Sequence, residues 1–219
     1  MHSITIKNLL PKVFKGMEGM PQIQASRIWE APPFTFQKGC RICIQAESGG
    51  GKSSLLSFIY GNRDDYTGEI LFDNKNIRDF KISQWCDIRK TKIALLPQEM
   101  RLFPEITVIE NIQLKNSLTK HKTTDQIIEM LQKLGIEEKK DSQVGKCSIG
   151  QQQRVAIVRT LCQPFDFIFL DEPVSHLDEM NNRIVASLIE KEASVNNAGI
   201  ITTSVGNNLL LDDPEFVNL

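Results

Sequence analysis

The sequence predicts an α/β layer architecture, and three observations carry that prediction. Short apolar runs alternate with helical patterns along the whole chain. A glycine-rich turn at residues 46–54 joins an apolar run to a helical pattern. A second apolar run, 167–170, ends in two adjacent carboxylates. No internal repeat, low-complexity tract or Gly/Ser linker divides the 219 residues, a length that suits one domain with at most a small subdomain.

In chain order, strands are expected at 40–46, 92–96, 167–170 and 199–203, with further strands near 3–9 and 68–73. Helices are expected after Gly51 and near 107–117, 123–134, 150–162 and 179–196. The helix at Thr123 has the clearest signals. Thr123 and Gln126 match a capping box, Ile127, Ile128, Leu131 and Leu134 form an apolar stripe, and Gly135 supplies the stop. The stretch 100–147 is mostly helical and polar between two strand-bearing parts, which suggests a helical subdomain inserted in the α/β core.

Hydrophobic residues make up 41% and charged residues 24%, so a packed core forms and global disorder is excluded. Lys and Arg number 26 against 27 Asp and Glu, for a net charge of −1. That excludes a nucleic-acid binder working by bulk charge, and no nucleic-acid partner is expected. No apolar stretch approaches the roughly 18–20 residues of a membrane span, and the opening MHSITIKNLL lacks the apolar core of a secretory signal. Composition thus predicts a soluble intracellular protein. The five cysteines are odd in number and irregular in spacing, which argues against a disulfide framework. Cys40 and Cys43 form a CxxC without the second pair a structural zinc site needs, so reduced cysteines near a strand are expected.

The sharpest local signal is Ala46-Glu47-Ser48-Gly49-Gly50-Gly51-Lys52-Ser53-Ser54 between a predicted strand and a predicted helix. That is the context of a P-loop, in which glycines let successive N–H groups turn into one anion hole and the helix N-terminus adds free donors. Lys52 would reach the β- and γ-phosphates, and the Ser53 hydroxyl would ligate Mg²⁺. The strict pattern begins with glycine; Ala46 is accommodated if its φ is negative. Phe167-Ile168-Phe169-Leu170-Asp171-Glu172-Pro173 places Asp171 to hold Mg²⁺ and Glu172 to orient or deprotonate water, while Pro173 ends the strand. Ser148, in Cys147-Ser148-Ile149-Gly150-Gln151-Gln152-Gln153-Arg154, is placed to cap the helix that follows.

Taken in order, AESGGGKSS, Gln98 in LLPQE, CSIGQQQR, FIFLDEP and SHLD resemble the nucleotide-binding domain of ATP-binding cassette (ABC) transporters, over about residues 3 to 215. The P-loop and acidic strand occur in many families; the CSIGQQQR signature between Gln98 and the acidic strand is specific to this one. The resemblance implies a P-loop NTPase core with a parallel central sheet, an N-terminal antiparallel β part and a helical subdomain at about 100–160, all in one domain spanning 1–219. It implies ATP and Mg²⁺ as ligands, and a head-to-tail pair with ATP between the loop of one subunit (Ser48, Gly49, Gly50, Gly51, Lys52, Ser53, Ser54) and Ser148, Gly150 and Gln151 of the other. Gln98 would join Ser53 and Asp171 at Mg²⁺, and residues 175–178 would cross the interface. An N-terminal aromatic would stack on adenine; Phe14 is preferred to Trp29 because the latter sits in an extended, partly buried stretch.

Two departures from the family pattern stand out. Ile149 replaces a glycine, and a β-branched residue resists positive φ, so altered closure over ATP is expected. The family's switch histidine falls by register on Ser204, and the three histidines are His2, His121 and His176. Serine hydrogen-bonds but carries no positive charge, so ATP binding is expected more firmly than rapid hydrolysis.

The resemblance implies an ATP-hydrolysing subunit that drives separate integral membrane permease subunits. It would be cytoplasmic, on the inner face of the membrane through those partners, and paired with a second cassette as homodimer or heterodimer. The permease contact is expected around Gln98 and 99–105. Residues 102–111 and Gln151 to Arg154 resemble lipoprotein-release and macrolide-export ATPases. A regulatory module with weak hydrolysis is the alternative, favoured by Ser204 and Ile149 and opposed by Glu172. DNA-repair and translation relatives carry long coiled-coil insertions or tandem cassettes, for which 219 residues leaves no room.

Overall fold

The computed structural model describes residues 1–17 and 19–219. Its elements are β1 Ser3–Pro11, α1 Pro21–Gln24, β2 Phe34–Gln37, β3 Arg41–Gln45, α2 Lys52–Ile59, β4 Tyr66–Phe72, β5 Lys75–Asn76, α3 Ile82–Thr91, β6 Ile93–Leu96, α4 Val108–Asn116, α5 Thr124–Lys133, α6 Ile149–Leu161, β7 Phe167–Asp171, α7 Glu179–Ser194, β8 Gly199–Ser204 and β9 Glu215–Asn218. One sheet is antiparallel in the order β2-β1-β4-β5; the other is parallel in the order β6-β7-β8-β3-β9.

Every residue of β7 and β8 is buried, as befits strands covered on both faces. Alternation along β7 then divides the core. Phe167 and Phe169 pack with α2 residues Leu55, Leu56 and Phe58, while Ile168 and Leu170 pack with α6 residues Val155 and Val158. Because the strands run parallel, the chain leaves β3, β7 and β8 at the same end of the sheet. The 46–54 loop, the Asp171–Glu172 pair and Ser204 therefore gather at the carboxyl ends, where α/β sheets bind ligands.

The parallel sheet, the antiparallel sheet and the inserted helices expected from sequence are all present, and the expected strands and helices recur within a few residues of their predicted ends. Thr123 and Gln126 do form the capping box. The stretch 100–160 holds α4, α5 and most of α6, with α4 and α5 packed on α6. Short β2, β5 and β9 were not foreseen, nor was α3. None of α3's residues is fully buried, so it lacks an apolar stripe to read. Tertiary contacts hold it instead: Trp85 packs edge-on to Phe72 and Phe80, and Arg89 donates to the carbonyls of Tyr60 and Gly61 at the end of α2.

All five cysteines are free thiols, and burial pushes Cys40 up to about 12 and Cys43 up to about 11. Among the described residues no helix is long and apolar enough to cross a membrane.

Candidate functional site

The glycine loop is shaped by two left-handed residues, Gly49 at φ 84° and Gly51 at φ 94°. Gly51 stands at the N-cap of α2, where left-handed backbone and close packing both demand glycine. A Cβ there would lie 3.0 Å from Trp29. Ala46 is not among the positive-φ residues, so the condition for replacing the first glycine is met. The replacement is felt across the loop instead: a Cβ on Gly50 would stand 2.8 Å from the Ala46 Cβ. Lys52 is 5% exposed, and its ammonium donates to the carbonyls of Ala46 at 2.8 Å and Glu47 at 3.0 Å. Ser53 is exposed, whereas the Ser54 hydroxyl accepts from Arg63 at 2.9 Å.

The loop opens on a cavity of about 620 Å³, walled by Ser48, Gly49 and Gly50 on one side and Phe14 on another. Trp29 is 2% exposed, with its indole N–H on the Gly50 carbonyl at 3.3 Å and its ring edge-on to Phe14. Trp29 therefore buttresses the loop, and Phe14, only partly buried, presents its ring beside the cavity.

At the end of β7, Asp171 is 5% exposed and accepts the Thr203 hydroxyl at 2.6 Å. Thr203 in turn accepts the Glu172 N–H at 3.1 Å. Glu172 itself sits at φ 49°, a left-handed conformation that a non-glycine residue holds only where its surroundings enforce it. Its carboxylate accepts from the Gln98 amide at 3.3 Å. Gln98, Glu172, Thr203 and Asp171 thus form one hydrogen-bonded chain. Thr203 was missed from sequence, although a hydroxyl side chain in a fully buried strand is a signal that it has a partner to serve.

Ser204 is 1% exposed, and its hydroxyl donates to Asn208 and accepts the Gly206 N–H at 3.2 Å. Asn208 also accepts from Cys43 and from Gln45, each at 3.4 Å. Ser204 therefore forms part of the cavity wall, but its one donor hydrogen is already used.

Ser148 caps α6: its hydroxyl accepts the Gln151 N–H at 3.3 Å, and Gln151 Oε1 accepts the Ser148 N–H at 2.9 Å. The expected backbone difficulty at Ile149 does not arise. Ile149 is the first residue of α6, its φ is not positive, and its side chain is half exposed. Gly150 sits close to the turn beyond β7: a Cβ there would lie 3.2 Å from the His176 carbonyl. Gln153, also missed from sequence, is 3% exposed and ties three elements together. Its amide donates to the Glu172 carbonyl at 3.2 Å and to the Ser175 hydroxyl at 3.3 Å, and its oxygen accepts the His176 N–H at 3.2 Å. None of 148–151 lines the cavity beside the glycine loop, so one chain does not bring Ser148, Gly150 and Gln151 to its own phosphate loop.

A glycine loop on a helix N-terminus, a buried lysine beneath it and an acidic strand end two strands away define a P-loop nucleotide-binding protein. A family model described as ABC transporter matches residues 30–175. The chain is 31% identical over 172 residues to the lipoprotein-releasing system ATP-binding protein LolD of Buchnera aphidicola subsp. Schizaphis graminum, which covers 77% of this chain and 75% of that one. It is 34% identical over 160 residues to an uncharacterized ABC transporter ATP-binding protein, YclH of Bacillus subtilis, covering 71% and 70% of the two chains. The dimeric structure of MJ0796, a bacterial ABC transporter cassette, superposes with a TM-score of 0.75 at 25% identity over 92% of this chain and 87% of that one. The chain belongs to the ABC transporter family, as an ATP-binding subunit. The matched stretch begins after Phe14 and Trp29 and ends at Ser175, short of His176 and Ser204.

Proposed function

We propose that residues 1–219 act as a single cassette that binds and hydrolyses ATP, closing head to tail with a second cassette to drive separate permease subunits at the inner face of the membrane. The hydrogen-bonded chain Gln98–Glu172–Thr203–Asp171 beside the glycine loop carries this reading. A site that had lost hydrolysis would have no use for a carboxylate held in strained backbone and oriented by a glutamine.

The geometry supports the following roles. Backbone donors of Ser48 to Ser54 and the Lys52 ammonium would take the phosphates, and Phe14 would stack on adenine. Ser148, Gly150 and Gln151 of the partner would cover the γ-phosphate. Mg²⁺ fits the donor set: the exposed Ser53 hydroxyl, the Gln98 amide oxygen and the Asp171 carboxylate are hard oxygens suited to that ion. Once bound, it would neutralise phosphate charge. Glu172 would take the proton of the attacking water. The stretch 99–105 beyond Gln98 is the proposed permease contact, and a lipoprotein-release type of task fits the relatives. The pair is either a homodimer or a heterodimer.

A second reading, a regulatory module with slow hydrolysis, rests on the committed hydroxyl of Ser204. Two measurements test the pair of readings. Glu172→Gln with ATP is expected to shift from monomer to dimer on size exclusion; no shift overturns the closing cassette. Phosphate release by wild type reconstituted with its permease separates the two readings, since an ordinary rate removes the regulatory one.

A further inference from the structure

Among the described residues no imidazole lines the cavity beside the glycine loop. Ser204 stands at the histidine position with its hydroxyl donated to Asn208. His2 lies at the start of the chain, and His121 lies between α4 and α5. His176 remains, exposed on the turn that follows Glu172.

We propose that His176 of one protomer completes the phosphate site of the other, its Nε2–H donating to a γ-phosphate oxygen where Ser204 offers no donor. The inference rests on the head-to-tail closure proposed above. Its ring is already oriented. His176 Nδ1 lies 3.0 Å from the Ser175 hydroxyl, and that hydroxyl accepts from Gln153, which leaves its hydrogen for Nδ1. In the tautomer whose Nδ1 accepts that hydrogen the imidazole proton stands on Nε2, and among the described residues nothing is hydrogen-bonded to that nitrogen. The turn is fixed as well, because Gln153 bonds the His176 N–H and the Glu172 carbonyl together.

The His176 carbonyl lies close to Gly150, so the turn that carries the exposed imidazole packs beside the start of α6. Two apolar side chains near in sequence to these segments are exposed, Ile149 at 50% between Ser148 and Gly150 and Met180 at 73% in the first turn of α7. Val205, at the rim of the glycine-loop cavity, is 52% exposed, while neither His176 nor 148–151 lines that cavity. A two-fold pair sets each such face against the other's counterpart twice over. In the reaction, the water oxygen bonds to the γ-phosphorus as the bond to the β–γ bridging oxygen breaks. The electron pair leaves on ADP, the water proton passes to Glu172, and His176 holds a γ-oxygen without giving up its proton.

Two mixed dimers of differently tagged protomers test this by single-turnover phosphate release. The first pairs Glu172→Gln/His176→Ala with wild type; the second pairs Glu172→Gln with His176→Ala. Each contains one live site and one lost histidine, but only in the first does the live site face the turn without its imidazole. The first is expected to be slower than the second by about tenfold or more. Equal rates, or the opposite order, overturn the inference. Ser204→His in the His176→Ala chain is expected to restore the rate by supplying the donor in cis; no gain counts against it. If wild-type dimers release no phosphate at all, the hydrolytic reading fails and this inference falls with it.

Discussion

Thr203 donates its hydroxyl to the Asp171 carboxylate at 2.6 Å, and both groups are buried. The same hydroxyl accepts the Glu172 N–H, so one side chain on β8 sets two acidic residues at the end of β7. Thr203→Val keeps the shape and removes both bonds. It leaves a buried carboxylate and an N–H short of a partner, at a cost of about 1–3 kcal/mol. Urea unfolding is expected to show that loss, and ATP turnover is expected to fall further than stability alone explains as Glu172 loosens.

Gly50 and Ala46 are a packed pair. Gly50→Ala would set two methyl carbons 2.8 Å apart, closer than carbon atoms pack. Overpacking of this kind costs about 1–3 kcal/mol, and here it falls on the phosphate loop. ATP affinity, read by fluorescent-nucleotide titration, is expected to drop roughly tenfold or more. Ala46→Gly in the same chain removes the opposing methyl and is expected to recover most of the loss. A non-recovering double variant would mean that something other than this contact excludes the alanine.

Phe14 and Trp29 touch, yet their substitutions should separate. Phe14→Ala removes a partly exposed ring beside the cavity and is expected to weaken ATP binding by about 1–3 kcal/mol with little change in thermal stability. Trp29→Ala empties a buried position and is expected to cost about 3–5 kcal/mol of stability. Equal effects of the two on affinity would remove Phe14 from the adenine site.

Asp166, just before the inner strand β7, holds the Met1 ammonium at the amino end of the parallel sheet. It is nearly buried, with the N-terminal ammonium at 2.8 Å, Lys38 at 2.9 Å and Lys92 at 3.3 Å. Burial pushes its carboxyl up, but hydrogen bonds from the N-terminus and Lys38 outweigh it, and the net shift is downward. A carboxyl lowered by folding contributes stability above its unfolded value of about 3.9 and loses it as pH falls through the folded value. Asp166→Asn is therefore expected to destabilise the protein at neutral pH, with the gap from wild type closing below about pH 4. Denaturant midpoints across that range give the check.

The ordered motifs made the family legible in the sequence, and periodicity made most of the core legible. A P-loop is local: strand, glycines, lysine and helix start are neighbours along the chain, so its geometry is written where its residues are. The capping boxes at Thr123 and Ser148 are local for the same reason. Ser204, expected from the sequence to take the place of the family's histidine, ends β8 opposite Gln45 at the end of β3.

Tertiary structure alone decided the rest. α3 has no fully buried residue, and tertiary contacts, Trp85 and Arg89 among them, hold it in place. Ile149 looked strained while its place on the helix was unknown; as the first residue of α6 it has ordinary backbone. Thr203 and Asn208 lie outside every motif, and Gln153 lies within CSIGQQQR without its role being readable there, because each works through partners on other segments. A hydrogen bond between residues far apart in the chain depends on which strands lie side by side, and that order, β7 beside β8 beside β3, is set by packing of the whole sheet rather than by any segment of it.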